Sequence, residues 1–378
     1  MRITAVKVYP IPMRSSWLNE SLVANPMSIY PQYKAKRSSW YGPMTSAVVR
    51  IETDEGIHGL GTVGGAKGKL APTVIEEQFR DLLIGRNPFE IELIWEQMFR
   101  ASIFYGRKGI VLEVISGIDL ALWDLLGKFL GQPVYNLIGG KTKDKIPVYV
   151  TGNLTERHIQ EGFRDVKLAL PHGPADGGEG LRENIELVEK TRKLIGPSGD
   201  IMLDCYMALD VPYTIELAKS VKQFGVLWLE EPVPPDHLDA YRRIKDAVPD
   251  ILIAGGEHEF TRFGFRDLIE KRAVDILQPD IYRAGGLSEL KKIAAMASAY
   301  NLPVIPHGVG APTYHFVIAT PNCPRAEFVD IFAQGGKPIL KGDAQPKNGY
   351  VELGDTPGFG YELDEALLSG DASAALIF

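Results

Sequence analysis

The segment GDIMLDC (199–205) decides the fold, because it is one of a series of short apolar runs that each end in a polar residue. The pattern recurs in four later runs, GVLWLEEP (225–232), DILIAGGE (250–257), AVDILQPD (273–280) and LPVIPHG (302–308). Stretches with helical periodicity lie between them. This alternation of strands and helices predicts a parallel sheet.

Three further runs extend the series: KIPVYVTGN (145–153), RDVKLALP (164–171) and AEFVD (326–330). Eight strands in this part of the chain predict an α/β fold, a (β/α)8-type barrel of the modified TIM kind in which one helix position can be irregular. A doubly wound sheet is the alternative. It usually has a glycine-rich GxGxxG turn after an early strand, and the sequence has none there.

The remaining sequence predicts two further regions. Residues 1–130 combine strand-like runs with helical segments, and the turn DEG (54–56) predicts a hairpin. The barrel is expected over residues 131–339. The glycine-rich tail at 340–378 is expected to pack back on another domain. Between the first strands lies a long aromatic loop (17–43), a kind of segment that is often functional.

Composition excludes several classes of function. The chain has 378 residues, enough for two domains, and a net charge of −7. This charge argues against binding to nucleic acid or to an anionic membrane. The sequence shows neither a signal-peptide core nor an apolar run of membrane-spanning length. Cys205 and Cys323 lack disulfide or CxxC spacing, so a cytoplasmic enzyme is expected.

Five strand-end residues carry the chemistry: Asp204, Glu230, Glu257, Asp280 and His307. Successive members are 23 to 27 residues apart, which is one strand–helix unit. Because barrel active sites form at the carboxyl ends of the strands, we expect all five side chains to share one rim.

Asp204, Glu230 and Glu257 are predicted to be metal ligands. Three carboxylates on adjacent strands repel one another unless a cation or a proton compensates them. Mg²⁺ prefers oxygen ligands and leaves coordination positions for substrate or water. Zinc is disfavoured, because no cysteine or histidine cluster has the usual spacing.

Asp280 and His307 are predicted to form a carboxylate–imidazole pair with His307 as general base. Such a base beside Mg²⁺ suits removal of the proton α to a carboxylate, with the metal stabilising the enediolate. Enolase-superfamily sites are known to combine a Lys or His base with Mg²⁺.

These residues resemble the mandelate racemase branch of the enolase superfamily. Runs that carry the resemblance are IMLDCYMALD (201–210), WLEEPVPPD (228–236), AGGEHEFTRFGF (254–265), DILQPDIYRAGGLSE (275–289) and VIPHGVGAPTYHF (304–316). More narrowly, YPQYKAKRSSW (30–40), MFRASIFYGRKG (98–109) and LALPHGPADGGEGLRENI (168–185) resemble L-rhamnonate dehydratases.

The resemblance implies the same ligands and base, with Glu327 facing the developing enediolate and Arg37 contacting the substrate. It implies an α+β capping domain, formed by the N-terminal region and the C-terminal tail, over the barrel mouth. It also implies a small-molecule sugar acid as substrate and a homo-oligomer built from dimers, up to an octamer.

Two departures refine the expected reaction. Racemases of this branch carry Lys-x-Lys on the second strand, whereas this chain reads Lys167-Leu168-Ala169. A single base favours dehydration, because His307 can remove the C2 proton and then protonate the departing C3 hydroxyl. The cap loop WLNESLVANPMS (17–28) has no histidine, so the identity of the sugar acid stays open.

The sequence thus predicts a Mg²⁺-dependent aldonate dehydratase that forms a 2-keto-3-deoxy acid. L-Rhamnonate is the first expected substrate and L-lyxonate the second. A racemase or epimerase of a 2-hydroxy acid and a non-catalytic barrel are the alternatives.

The roles of two basic residues stay open at this stage. His258 is expected to contact substrate or a metal ligand, without a carboxylate partner evident from the sequence. For Lys167, a substrate contact and a core ion pair are equally expected. Glu231 is expected to point away from the site into a structural salt bridge, and Glu259 to be structural charge.

Overall fold

The computed structural model describes residues 1–12, 22–34, 45–64, 70–329, 340–364 and 376–377. Arg37 therefore lies outside the described residues, as do parts of the aromatic loop (17–43). Within the described ranges, every helix is too short or too polar to cross a membrane.

Fourteen strands are present in the described chain. In chain order they are β1 (Ile3–Pro12), β2 (Thr45–Thr53), β3 (His58–Val63), β4 (Ile146–Thr151), β5 (Val166–Ala169), β6 (Ile201–Asp204), β7 (Val226–Glu230), β8 (Leu252–Gly255), β9 (Ile276–Leu277), β10 (Ala326–Val329), β11 (Leu340–Lys341), β12 (Tyr350–Val351), β13 (Glu362–Leu363) and β14 (Leu376–Ile377).

Twelve α-helical segments accompany these strands in the same described ranges. They are α1 (Leu70–Val74), α2 (Arg80–Leu83), α3 (Ile91–Ser102), α4 (Ile110–Leu130), α5 (Val134–Leu137), α6 (Thr155–Gln160), α7 (Gly177–Ile195), α8 (Val211–Val221), α9 (Leu238–Ala247), α10 (Thr261–Glu270), α11 (Gly286–Ala299) and α12 (Ala311–Ala319). A π-helical turn at Ile75–Phe79 joins α1 to α2.

The barrel is parallel and curls back on itself. Strands β4 to β9 are neighbours in chain order, and β10 pairs with β4 on the other edge. The seventh strand position is held by two parallel bridges, Leu277 to Val304 and Asp280 to His307. Helices α6 to α12 follow the first seven positions. The predicted barrel is therefore confirmed, and the doubly wound alternative is wrong because the strands follow one another without a reversal of order and the last strand, β10, pairs with the first, β4.

Side chains fill the barrel interior, as parallel barrels require. One layer consists of residues from six strand positions: Tyr149, Met202, Trp228, Ala254, Ile276 and Ile305. This apolar layer gives the charged groups at the rim a floor that excludes water.

The N-terminal region forms an antiparallel sheet in the order β14-β1-β2-β3. The predicted DEG hairpin joins β2 to β3. Helix α4 packs on β3 so closely that Gly59 and Gly61 are required. A Cβ atom at Gly59 would lie 2.0 Å from the carbonyl oxygen of Ala121, and one at Gly61 would lie 2.0 Å from that of Gly117.

The buried carboxylate of Asp124 joins three distant segments. The backbone N–H of Leu60 in β3 donates to it at 2.9 Å, and that of Phe359 in the tail donates at 2.8 Å. The ammonium group of Lys128 lies 2.9 Å from the same carboxylate. The tail also reaches the first barrel strand, because β12 pairs with β4. The predicted bounds at 130/131 and 339/340 stay predictions.

Replacing Asp124 with Ala should lower the free energy of unfolding by about 3–5 kcal/mol, because it leaves a buried cation and two backbone donors without their acceptor. Urea unfolding followed by circular dichroism measures the loss. The matched control is Glu362→Gln, which removes an exposed partner of the same Lys128 and should cost at most about 1 kcal/mol. Equal losses for both variants would contradict this account.

Candidate active site

The five predicted strand-end residues lie at the carboxyl ends of adjacent strands. Asp204 is in register with Glu230, and Asp280 is bridged to His307. Glu257 lies two residues beyond β8. Because the strands are parallel, their carboxyl ends all lie at the same end of the barrel, so the side chains share one rim. Their individual roles stay predictions.

His307 is bonded through one ring nitrogen and faces carboxylates with the other. Its Nδ1 lies 2.7 Å from Asp280 Oδ2, and its Nε2 lies 3.2 Å from Glu257 Oε1. Burial lowers the pKa of His307, but the charges of Glu257 and Glu327 and the bond to Asp280 outweigh it and raise the pKa to about 10. A base at Nε2 thus requires that part of this negative charge be compensated.

Glu230 is buried among donors. It accepts bonds from Lys167, from Gln278 Nε2 at 2.6 Å and from Trp228 Nε1 at 3.2 Å. The ammonium group of Lys167 also lies 2.8 Å from Glu327 Oε1 and is almost fully buried. Burial lowers the pKa of Lys167, but the two carboxylates raise it well above its usual value. These contacts favour the core ion pair over the substrate contact for Lys167.

Glu327 lies between the barrel interior and the base. It accepts bonds from Thr151 and from the backbone N–H of Gly308 at 2.9 Å, and its Oε2 lies 3.8 Å from His307 Nε2. Burial raises the pKa of Glu327, but Lys167 and His307 lower it below its usual value. The side chain is therefore a buried anion adjacent to the imidazole.

The carboxylates at the rim suit a hard divalent cation. Burial raises the pKa of Asp204 to about 7, with Lys167 opposing and Glu230 and Glu257 adding to the rise. Burial likewise raises the pKa of Glu230. Such crowding is the condition that a bound cation relieves, and the donors are all oxygens. The predicted set of Asp204, Glu230 and Glu257 therefore fits Mg²⁺.

A second, more compact group of ligand atoms shares Glu257. Among the described residues, the ligand atoms of Glu231, Glu257 and His258 all lie within 4.8 Å of one another. We favour the predicted set for Mg²⁺, because its donors are all carboxylate oxygens, whereas the second set includes an imidazole nitrogen, which suits Mg²⁺ less well. Glu257 belongs to both sets.

His258 does have a carboxylate partner, contrary to the expectation from the sequence. Its Nδ1 lies 2.6 Å from Glu231 Oε2, and its backbone N–H donates to Glu231 Oε1 at 3.0 Å. Glu231 adopts a left-handed backbone conformation with φ of 38°. This conformation breaks the strand alternation and turns the side chain into the site.

Glu259 is structural charge, as its position suggested. Its buried carboxylate lies 2.9 Å from Lys108 Nζ and accepts the N–H of Phe260 at 2.7 Å. Lys108 comes from the loop between α3 and α4, so this pair connects the N-terminal region to the barrel.

Arg283 is a charged residue of the site that the sequence did not predict. Arg283 follows Asp280 by three residues and donates to Glu257 Oε1 at 2.8 Å. Its only sequence signal is its place in the turn directly after a strand end.

Comparison with known proteins identifies the family. Residues 151–367 match the enolase C-terminal domain-like model, and residues 34–139 match the N-terminal domain of mandelate racemase and muconate lactonizing enzyme. The chain belongs to the mandelate racemase/muconate lactonizing enzyme family. The resemblance to this branch of the enolase superfamily is thereby confirmed, as is the capping domain that it implies.

Several members of this family are similar over most of the chain. The L-rhamnonate dehydratase of Saccharopolyspora erythraea is 40% identical over 357 residues, covering 92% of this chain and 90% of that protein. The crystal structure of L-rhamnonate dehydratase from Gibberella zeae is 43% identical with a TM-score of 0.91, covering 97% and 94% of the two chains. A second structure from that organism, complexed with Mg, is 42% identical with the same TM-score and coverage.

The affinity for Mg²⁺ should rise with pH between about 6 and about 8, because a carboxyl with a pKa of about 7 must lose its proton to become a ligand. Isothermal titration calorimetry in two buffers of different ionisation enthalpy measures the affinity and the protons released. Below pH 7 Asp204 is mostly protonated, so the proton release from Asp204 should be largest there and fade above pH 8, where further release comes from His307 with its pKa of about 10.

The matched control for this titration is Asp200→Asn, at the opposite end of β6 from Asp204. It should leave the pH dependence unchanged. Identical affinity at pH values of about 6 and about 8 would show that Asp204 is already ionised in the free protein.

Proposed function

We propose that this protein is a Mg²⁺-dependent aldonate dehydratase that acts on L-rhamnonate. The observation that carries the proposal is the asymmetry of the site. His307 is held by Asp280 with its Nε2 exposed to the site, whereas Lys167 on the second strand is locked between Glu230 and Glu327. A base on one face suits elimination, while racemisation needs a base on each face.

Asp204, Glu230 and Glu257 would hold the Mg²⁺ ion. When bound, the ion would polarise the substrate carboxylate and stabilise the negative charge that forms after proton removal. The structure of the rhamnonate dehydratase from Gibberella zeae complexed with Mg supports this choice of metal.

The described residues account for the proton transfers. Nε2 of neutral His307 takes the C2 proton, and Asp280 retains the bond to Nδ1 and stabilises the resulting imidazolium. The imidazolium then donates this proton to the C3 hydroxyl as the C3–O bond breaks and water leaves. The remaining enol loses its O–H proton at C2 and takes a proton at C3, which gives the 2-keto-3-deoxy acid.

The proposed substrate class is supported by the relatives. The identity of the sugar acid within that class depends on the cap. Two L-rhamnonate dehydratases are at least 40% identical to this chain over most of its length. We expect the cap to distinguish L-lyxonate from L-rhamnonate. The residues concerned are the predicted substrate contact Arg37 and the part of the cap loop that has no histidine. A cytoplasmic location and a dimer-based homo-oligomer are part of the same proposal, supported by two free, buried cysteines and by the family resemblance.

One observation favours a second candidate function. His258 and Glu231 form another imidazole–carboxylate pair, and His258 Nε2 lies 3.7 Å from the same Glu257 Oε1 that faces His307. Two imidazoles on opposite faces of a substrate carbon would allow racemisation or epimerisation of a 2-hydroxy acid.

Among a library of aldonates, L-rhamnonate should give the highest kcat/KM for 2-keto acid formation, and chelation should abolish turnover until Mg²⁺ is restored. The variant His307→Asn should lower kcat by about 10³-fold or more, because one group performs both proton transfers. Product formation is measured as the semicarbazone.

The His307→Asn variant needs controls for folding and for metal binding. Its circular dichroism spectrum and its Mg²⁺ affinity should match those of the unchanged protein. Full activity of this variant on L-rhamnonate would show that another group is the base.

Turnover in D₂O separates the two candidate functions. A dehydratase should give product deuterated at C3, with residual substrate that keeps its C2 proton. The variant His258→Asn should retain kcat within about tenfold, since His258 takes no part in the elimination, whereas His307→Asn should not. Rapid exchange at C2 without loss of water, abolished by either variant, would establish the racemase instead.

A further inference from the structure

Arg283 makes two contacts that link the predicted metal site to the predicted base. It lies in the turn between β9 and α11, and its side chain is mostly buried. Its Nη1 lies 2.8 Å from Glu257 Oε1, and its Nε lies 3.5 Å from Asp280 Oδ2. One planar guanidinium thus spans carboxylates from two neighbouring strand ends.

These contacts close a ring of alternating charge around the base. Asp280 Oδ2, which faces Arg283, is the atom that bonds His307 Nδ1 at 2.7 Å. Glu257 Oε1, which accepts from Arg283, is the atom that lies 3.2 Å from His307 Nε2. Each of the two oxygens therefore meets one nitrogen of His307 and one of Arg283.

The ring solves an electrostatic problem at the base. The carboxylates of Asp280 and Glu257 lie on either side of the His307 imidazole and repel each other. When the imidazole is neutral, a further cation is needed to hold them close together. Arginine suits this place because its charge is permanent and its donors form a rigid fork. A lysine at the same position would carry its charge at a single point and would lack the planar fork of donors that fixes the two oxygens in one orientation.

The backbone of Arg283 is itself held in place. Its N–H and that of Ala284 donate to the carbonyl oxygen of Asp280 at 3.1 and 2.8 Å, so Arg283 and Asp280 share one tight turn. From the N-terminal region, Glu113 in the first turn of α4 adds a third negative charge that acts on the guanidinium. Acidic groups from three elements therefore surround Arg283.

We propose that Arg283 is a positioning residue that fixes the orientation of the His307 ring by tying Asp280 to Glu257. The proposal rests on the proposed function for its kinetic effect, but its geometric effect can be measured without any substrate. Arg283 does not touch the reacting atoms in this scheme, and it acts only through the two carboxylates.

The test compares Arg283→Met and Arg283→Lys with the matched control Arg262→Met. Arg262 is also partly buried and ion-paired, to Glu289 at 2.5 Å, but contacts neither Glu257 nor Asp280. With L-rhamnonate, Arg283→Met should lower kcat by about 100-fold with KM changed by less than about threefold, since a displaced base slows the chemical step more than binding. Arg283→Lys should recover only part of this loss, and the control should retain kcat.

The second readout is the imidazole of His307 in the metal-free protein. With ¹⁵N-histidine labelling, the N–H proton bonded to Asp280 gives a downfield signal, which His307→Asn assigns among the seven histidines. Arg283→Met should shift or broaden this signal, and Arg262→Met should leave it unchanged.

The outcomes separate this proposal from the proposed function. If the unchanged protein dehydrates no aldonate, the proposed function fails, and the imidazole signal still decides the role of Arg283. If Arg283→Met leaves the signal unchanged and kcat equal to that of the control, the positioning role is wrong. A loss of kcat that Arg283→Lys restores completely would also overturn it, because charge alone would then suffice.

Discussion

The site depends on one buried oxygen, Oε1 of Glu257. Three basic groups surround it, with nitrogen atoms of Arg283, His307 and His258 at 2.8, 3.2 and 3.7 Å. Burial alone would raise the pKa of Glu257, but these neighbours lower it well below its usual value. These neighbours therefore favour the ionised form of Glu257, as its predicted role as a metal ligand requires. The same atom sets the pKa and the orientation of the base beside it.

A second group of charged side chains lies deeper in the barrel, around Lys167. Lys167 lies between Glu230 and Glu327 within the barrel and offsets part of their negative charge, above an apolar layer that includes Tyr149 and Trp228. Because water is excluded there, each ion pair is stronger than it would be at the surface, and each unpaired charge would be more costly. The two groups differ in one respect. The ammonium group of Lys167 is fully buried, whereas the groups around Glu257 include the imidazole nitrogen of the predicted base.

The strand-end residues could be predicted from the sequence because a barrel repeats one unit. A carboxylate or imidazole that recurs every 23 to 27 residues returns to the same rim, and the pairing of Asp280 with His307 follows from adjacency. The partner of His258 could not be predicted. Glu231 reaches it only because its backbone is left-handed, and strand periodicity assumes that it is not.

Arg283 and Glu113 could not be predicted as residues of the site for a related reason. Arg283 lies in a turn, where the direction of a side chain is set by local hydrogen bonds and not by a period. Glu113 comes from a helix that precedes Arg283 by 170 residues (283 − 113), so only the folded cap and barrel bring Glu113 and Arg283 together. The assignment of Asp204, Glu230 and Glu257 to the metal and of Arg37 to the substrate stays a prediction from the sequence and the family.

The shared carboxylate of Asp124 has a consequence for biosynthesis. Its hydrogen-bond donors come from residues 60 and 359, so they leave the ribosome almost 300 residues apart. The contact between Asp124 and the tail can therefore form only after residue 359 has been synthesised, which is after every strand of the barrel.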